Sequence, residues 1–306
     1  MSAPCPVDVV VTSYNHAHFL AEALASVLAQ TRSPAALIVV DDGSDDHPEL
    51  VTRDLPGVRL IRQANAGLSA ARNTGLRAAS SPFVVFLDAD DRLEPAALAA
   101  GLEGFERARE AAFLYGAHRR FRNADGVRGP LSLRPVGSDP YADFLRGNPI
   151  GMHAAVMYRR EPLLAAGGFD EALGRCEDYD LYLRLARQHG VASHPALVAE
   201  YRWHGANMSL DHAAMLRAVL AVHARQEVFA RRRRDHERAW LEGARYWRAH
   251  YFDEMLDAAK AELRQGRILG GATRALRTLA HHPGELLPKL RRVARNRLFS
   301  PREQSA

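Results

Sequence analysis

FVVFLDADD, residues 83–91, runs an unbroken apolar stretch into Asp88, Asp90 and Asp91. A run of this kind suits a strand buried on both faces, as in a parallel sheet, and the aspartates then stand at its carboxyl end. Working outward, VDVVVT at 7–12, Leu37 to Val40 and Val58 to Ile61 are three more short β-branched runs. Between them Ala17 to Gln30, with Phe19, Leu20, Leu24, Val27 and Leu28 at helical spacing, and Gly67 to Ala79 read as helices. Strands alternating with helices predict βαβ units and a mostly parallel, Rossmann-like α/β sheet flanked by helices. Ligands of such sheets bind at the carboxyl ends of the strands.

The polar punctuation falls at those ends. Thr12-Ser13-Tyr14-Asn15 follows the first strand, Asp41-Asp42 the second, Asn65 and Gly67 the third, and Asp88-Ala89-Asp90-Asp91 the fourth. Each cluster alone is also what a turn or helix cap looks like. Capping does not require two carboxylate pairs on one edge, so their convergence points to a site.

Beyond Pro95 the pattern changes to α+β. It predicts a helix to about Ala108, a strand from Ala111 to Gly116, and a hairpin or mobile loop over the Arg-rich His118 to Arg134. Ala154 to Tyr158 reads as a strand, Asp178 to Gln188 as an amphipathic helix and Val191 to Tyr201 as extended chain. After Asp211 the pattern is helical, which divides the chain into a catalytic domain over 1–210 and a helical, basic extension over 211–306.

The 306 residues, 47% hydrophobic and 25% charged, are enough to bury a core and exclude a disordered or fibrous chain. Cys5 and Cys176 cannot make a disulfide framework, and a reducing, cytoplasmic location follows. Asp8 interrupts the first apolar run, so no secretory signal is expected, nor does any stretch reach the length of a spanning helix. Residues 223–306 hold 19 basic and 10 acidic side chains, whereas residues 1–222 are net acidic. Leu286, Leu287, Leu290, Val293 and Leu298 form a stripe among Arg291, Arg292, Arg295 and Arg297. That composition suits either a helix on anionic lipid, holding the protein at the inner face of the membrane, or a helix packed on the catalytic domain.

Two carboxylates at Asp88 and Asp90 beside a buried strand repel one another unless a cation or donors compensate. Their oxygens suit Mg2+ or Mn2+, which in turn implies a nucleotide diphosphate, with Asp41 and Asp42 accepting from base or ribose. The absence of a G-x-G-x-x-G after the first strand disfavours a dinucleotide dehydrogenase. A nucleotidyltransferase, or a non-catalytic nucleotide- or nucleic-acid-binding protein, is the alternative. Carboxylates repel phosphate without metal, so nucleic acid is not the expected partner.

VVVTSYN from Val9, IVVDDGSDD from Ile38, NAGLSAARNTGL from Asn65, FLDADD from Phe86, GGFDEAL from Gly167, CEDYDLYLRL from Cys176 and YRWHGANMS from Tyr201 occur in this order. Over about residues 7–209 the chain resembles the family 2 glycosyltransferases of the GT-A fold. The resemblance implies an inverting, metal-dependent transfer of sugar from a nucleoside-diphosphate sugar to a saccharide or lipid-linked acceptor, in bacterial polysaccharide or glycolipid assembly. It implies that Thr12, Tyr14 and Asp42 line the base pocket, with Asp41 beside it, and that Arg72 approaches the nucleotide or its diphosphate. Asp88 and Asp90 would hold ribose and metal, with His204 near the diphosphate as a further ligand, and Asp178 would be the catalytic base. Met152, His153 and Glu177 fall on the acceptor side. Glu177-Asp178 also has the composition of a helix N-terminus, His204 that of a histidine at a strand end, and Met152 that of a gap-filling core residue.

Overall fold

The computed structural model describes residues 5–205, 207–282 and 284–290. β1 (Cys5–Ser13), β2 (Pro34–Asp41), β3 (Val58–Arg62) and β4 (Phe83–Asp88) run parallel in the order β3-β2-β1-β4. They are connected through α1 (Ala17–Leu28), α2 (Glu49–Thr52) and α3 (Leu68–Ala78). Register brings the strand ends level, because Thr12 pairs with Val40 on one side and Asp88 on the other, and Ser13 pairs with Asp41. Glycine lets α3 lie close: a Cβ at Gly75 would stand 2.2 Å from Val10 Cγ1.

The alternation of β1 divides the core into two layers. Val7, Val9 and Val11 pack under α1 with Leu37, Val39 and Leu87, while Val10 faces Ile38, Val40 and Phe86 on the other side. Asp8 is fully buried, yet its oxygens accept from the Ser80 and Ser81 backbone at 2.6 and 2.8 Å and from the Ser81 hydroxyl at 2.7 Å. The acid that interrupts the apolar run therefore fastens the turn into β4.

The second half mixes strand directions. After β5 (Arg92–Leu93) and α4 (Ala97–Arg107), β6 (Ala111–Arg122) and β7 (Arg128–Ser132) form the hairpin expected of the Arg-rich stretch. α5 (Pro140–Arg146) and a 3-10 turn over His153–Ala155 lead to β8 (Val156–Arg159), followed by α6 (Arg160–Ala165), α7 (Glu177–Ala186) and β9 (Gly190–Trp203). The sheet continues β4-β8-β6-β9-β5, with β8 antiparallel to both neighbours and β6 parallel to β9. β8 starts at the edge where β4 ends, so the sheet is parallel over its first four strands and mixed beyond them.

Helices α8 (His212–Ala224), α9 (Glu227–Ala230), α10 (Arg234–Arg264) and α11 (Ile268–His281) follow. Val219, Val222, Trp247, Tyr251 and Met255 share one apolar cluster with Phe144, Tyr179 and Tyr182. Of the basic stripe, Leu286, Leu287 and Leu290 lie in a helical segment at 284–290. Val293, Leu298, Arg291, Arg292, Arg295 and Arg297 lie outside the described residues. No described helix is long and apolar enough to cross a membrane.

Candidate active site

The level strand ends put Thr12 beside Asp88, and its hydroxyl donates to Asp88 Oδ1 at 3.0 Å. From α3, Arg72 reaches under the same carboxylate. Its Nη2 donates to both Asp88 oxygens at 2.9 and 3.0 Å, and its Nη1 donates to Glu177 Oε1 at 2.6 Å. The side chain is 2% exposed. Burial opposes its charge, but Asp88, Glu177 and Asp178 outweigh burial and raise its pKa. Arg72 thus lies beneath the rim with both terminal nitrogens engaged, not on the rim facing a diphosphate, because a buried guanidinium needs counter-charges around it.

Arg72 ties the aspartate rim to the start of α7. Cys176, just before that helix, has φ 59°, a left-handed conformation uncommon outside glycine. The first turn then carries Glu177, Asp178 and Asp180, where acids complement the helix dipole. Asp178 is half-buried, and its Oδ1 accepts the Tyr179 N–H at 2.7 Å. Burial and the neighbouring Glu177 push its carboxyl up to about 7, against the pull of Arg72.

A second tie holds the other aspartates. His204 Nε2 stands 3.1 Å from Asp90 Oδ2, with its ring 5.5 Å from that of Phe19. Two residues earlier, Arg202 donates from its backbone to Asp91 at 2.8 Å and from Nε to the Asp90 carbonyl at 2.6 Å. Its Nη1 reaches Asn123 at 2.8 Å, its Nη2 pairs with Glu22, and its guanidinium is 4.6 Å from the ring centres of both Phe19 and Phe121. Burial, then Asp90 and Asp88, push the Asp91 carboxyl well up. Sequence reasoning missed Arg202 and Glu22; the only signal was an arginine two residues before His204 in β9.

This donor set fits a divalent cation. Asp90 and His204 offer an oxygen and a nitrogen close enough to share one ion, whereas Asp88 is already neutralised by Arg72 through both its oxygens. Another group of ligand-type side chains, Asp139, Asp235 and His236, is a poorer candidate. Arg233 Nη2 occupies it, 2.5 Å from Asp235 and 3.5 Å from Asp139.

Tyr14 is exposed on the loop after β1. Asp41 is buried and accepts from the Ser44 backbone at 2.9 Å. Asp42 shapes the 63–67 loop, accepting from Gln63 Nε2 at 2.7 Å, Ala66 N at 2.9 Å and Gly67 N at 2.8 Å. Met152 and His153, expected on the acceptor side, are both buried, Met152 among the residues beneath α1 and α4, and His153 against Tyr182, whose hydroxyl lies 3.0 Å from Nδ1. Burial and Arg72 keep the His153 imidazole well below its ordinary pKa. A cavity of about 410 Å³ lies elsewhere, on the face of α7 bearing Asp180 and Arg184, with Arg187 just beyond the helix. Asp180 there is paired with Arg184 at 2.7 Å, and Asp170 with Arg225 at 2.7 Å.

The family described as Glycosyl transferase family 2 matches residues 8–165, just over half the chain. The chain is 40% identical over 105 residues to an uncharacterized glycosyltransferase of Nostoc sp., a match covering 33% of each chain. It is 28% identical over 209 residues to a chondroitin synthase of Escherichia coli, covering 67% of this chain and 30% of that one. The match therefore spans about a third of these curated relatives' lengths. Among solved structures, S. aureus TarS 1-349 in complex with UDP-GlcNAc is similar with a TM-score of 0.59 and 16% identity, over 91% of this chain and 92% of that one. The mannosyltransferase PcManGT from Pyrobaculum calidifontis, in complex with GDP-Man and Mn2+, is similar with a TM-score of 0.60 and 20% identity, over 90% and 81% of the two chains. With the ordered motifs set on this sheet, the chain belongs to glycosyltransferase family 2 and has the GT-A fold with added C-terminal helices.

Proposed function

We propose that the protein transfers a sugar from a nucleoside-diphosphate sugar to a hydroxyl of a saccharide or lipid-linked acceptor, with inversion at the anomeric carbon. The observation that carries this reading is the Asp88–Arg72–Glu177 tie, which sets the start of α7, and with it Asp178, beside the aspartates of the sheet rim. In this reading Thr12, Tyr14, Asp41, Asp42 and Asp88 serve the nucleotide, and Arg72 acts through Asp88 and Glu177. Asp178 takes the proton of the acceptor hydroxyl while that oxygen bonds to the anomeric carbon and the bond from that carbon to the diphosphate oxygen breaks with its electron pair. A carboxyl pushed up to about 7 is matched to that task near neutrality. Asp90 and His204 would hold Mn2+ or Mg2+, which supplies counter-charge to the departing diphosphate. Residues 1–210 carry these groups, and the helices from 211 onward support them. The named relatives support a role in polysaccharide or glycolipid assembly, and the neighbours bound to UDP-GlcNAc and GDP-Man support a nucleotide-sugar donor.

Asp178→Asn tests the assignment, because it keeps the shape and removes the base. Binding of the nucleotide sugar, read by calorimetry in Mn2+, should stay within about threefold while transfer falls by about 10²-fold or more. Transfer at the wild-type rate would remove Asp178 from the role.

A further inference from the structure

At 100° per residue, α11 sets Ile268, Leu269, Ala272 and Leu276 on one side and Arg274 and Arg277 on the other. An amphipathic helix normally turns its apolar side inward. α11 instead meets α10 along an edge of small residues, where Gly271 and Thr278 are buried and a Cβ at Gly271 would stand 2.7 Å from the Ala259 carbonyl oxygen. Its apolar side faces solvent: Ile268 is 67% exposed, Leu269 86% and Leu276 68%. The helical segment at 284–290, tied to α10 through Lys289 and Asp253 at 2.6 Å, adds exposed Leu286, Leu287 and Leu290.

The charge around this face has one sign. Residues 264–290 contain Arg264, Arg267, Arg274, Arg277 and Lys289 against Glu285 alone. Arg274 pairs with Glu262, which Arg267 also neighbours, whereas Arg264 and Arg277 are exposed and form no ion pair among the described residues. A second copy of this face would bring like charges together. Residues 291–306 are also basic, with five arginines against one glutamate, and would be repelled likewise. Apolar side chains flanked by arginine are complemented by hydrocarbon beneath anionic head groups, and the two contributions together exceed what either gives alone.

We propose that α11 and the 284–290 segment form a docking surface for an anionic lipid bilayer. The proposal rests on the C-terminal helices and is independent of the transferase reading.

The test is co-sedimentation of the full chain with vesicles of phosphatidylglycerol and phosphatidylcholine, and with phosphatidylcholine alone. Wild type and the double variant Leu269→Ser with Leu276→Ser are compared, together with Arg264→Gln and Arg277→Gln. Wild type should pellet with the anionic vesicles only, and about 0.5 M salt should release much of it. The leucine pair should weaken partition about tenfold, and the arginine variants several-fold, with Tm unchanged because these side chains are exposed. The proposal is overturned by no pelleting with the anionic vesicles, by equal pelleting with neutral lipid, by no effect of the leucine pair, or by a dimer in light scattering that the pair dissolves. A lowered Tm for the pair without vesicle binding also overturns it, since the chain's own residues would then cover the face.

Discussion

Asp178 as a base requires its carboxylate form. Burial and Glu177 raise its pKa to about 7, so acid of ordinary strength protonates it where an exposed aspartate stays ionised. The sign is therefore fixed: kcat/KM for transfer should be level above about pH 8 and fall by about tenfold per unit well below pH 7. Glu177→Gln removes the negative neighbour while Arg72 remains, so the acid limb should move to lower pH. A profile flat from pH 5 to 8, or a limb unmoved by Glu177→Gln, would contradict this account. The same residue shows why a sequence conveys only part of a site. Asp178 is legible as a candidate from its motif, as is Glu177 beside it, but the Arg72 guanidinium and the Asp88 carboxylate that also act on it come from α3 and β4, about a hundred residues away.

At the level of elements, the site depends on how the end of β9 is held against the turn after β4. Arg202 makes that join, with one backbone and three side-chain contacts on Asp91, Asp90, Asn123 and Glu22. Arg202→Met keeps the backbone bond to Asp91 and an apolar side chain beside Phe19 and Phe121, but loses the three side-chain polar contacts. It should lower stability by about 2 kcal/mol in urea unfolding, discounted because Glu22 is half-exposed. It should also weaken Mn2+ binding, read by paramagnetic resonance of the free ion, by about 10- to 100-fold. Unchanged Mn2+ affinity would show that Asp90 and His204 do not depend on this join. Short apolar runs made β1 to β4 readable and helical spacing did the same for α1, α3 and α4, whereas the four-residue α2 and the two-residue β5 are too short to show a period. Periodicity did not reveal that β6 continues to Arg122 alongside β9, because the polar half of that pairing is stabilised by arginines stacked and paired with Glu200, Glu94 and Trp203. Core packing was open for Met152 from its residue type, but nothing in the pattern placed His153, a polar residue, among buried side chains.

Across the whole molecule, the change to helices near residue 210 is a change of secondary structure within one continuous apolar cluster. Phe113 on β6, Phe144 on α5, Tyr182 on α7, Val222 on α8 and Trp247 on α10 belong to the same buried set. The closest join is at Gly243, where a Cβ would stand 1.9 Å from the Leu145 carbonyl oxygen and 2.8 Å from His223 Nε2. His223 itself bonds that carbonyl at 3.0 Å and accepts through its own backbone oxygen from Trp240. The Leu145 carbonyl is backbone and cannot yield as a side chain would, so Gly243→Ala must lift α10 from α5. The expected cost is about 3 kcal/mol, at the upper end for overpacking. If the sheet and the C-terminal helices unfold as one body, tryptophan fluorescence in a Trp203→Phe background, which then reports Trp240 and Trp247 on α10, and far-ultraviolet circular dichroism should trace the same urea transition. Gly243→Ala should shift both midpoints together. Separation of the two curves, with only the fluorescence midpoint moving in the variant, would mean that the helices after residue 211 are a unit able to detach while the sheet stays folded.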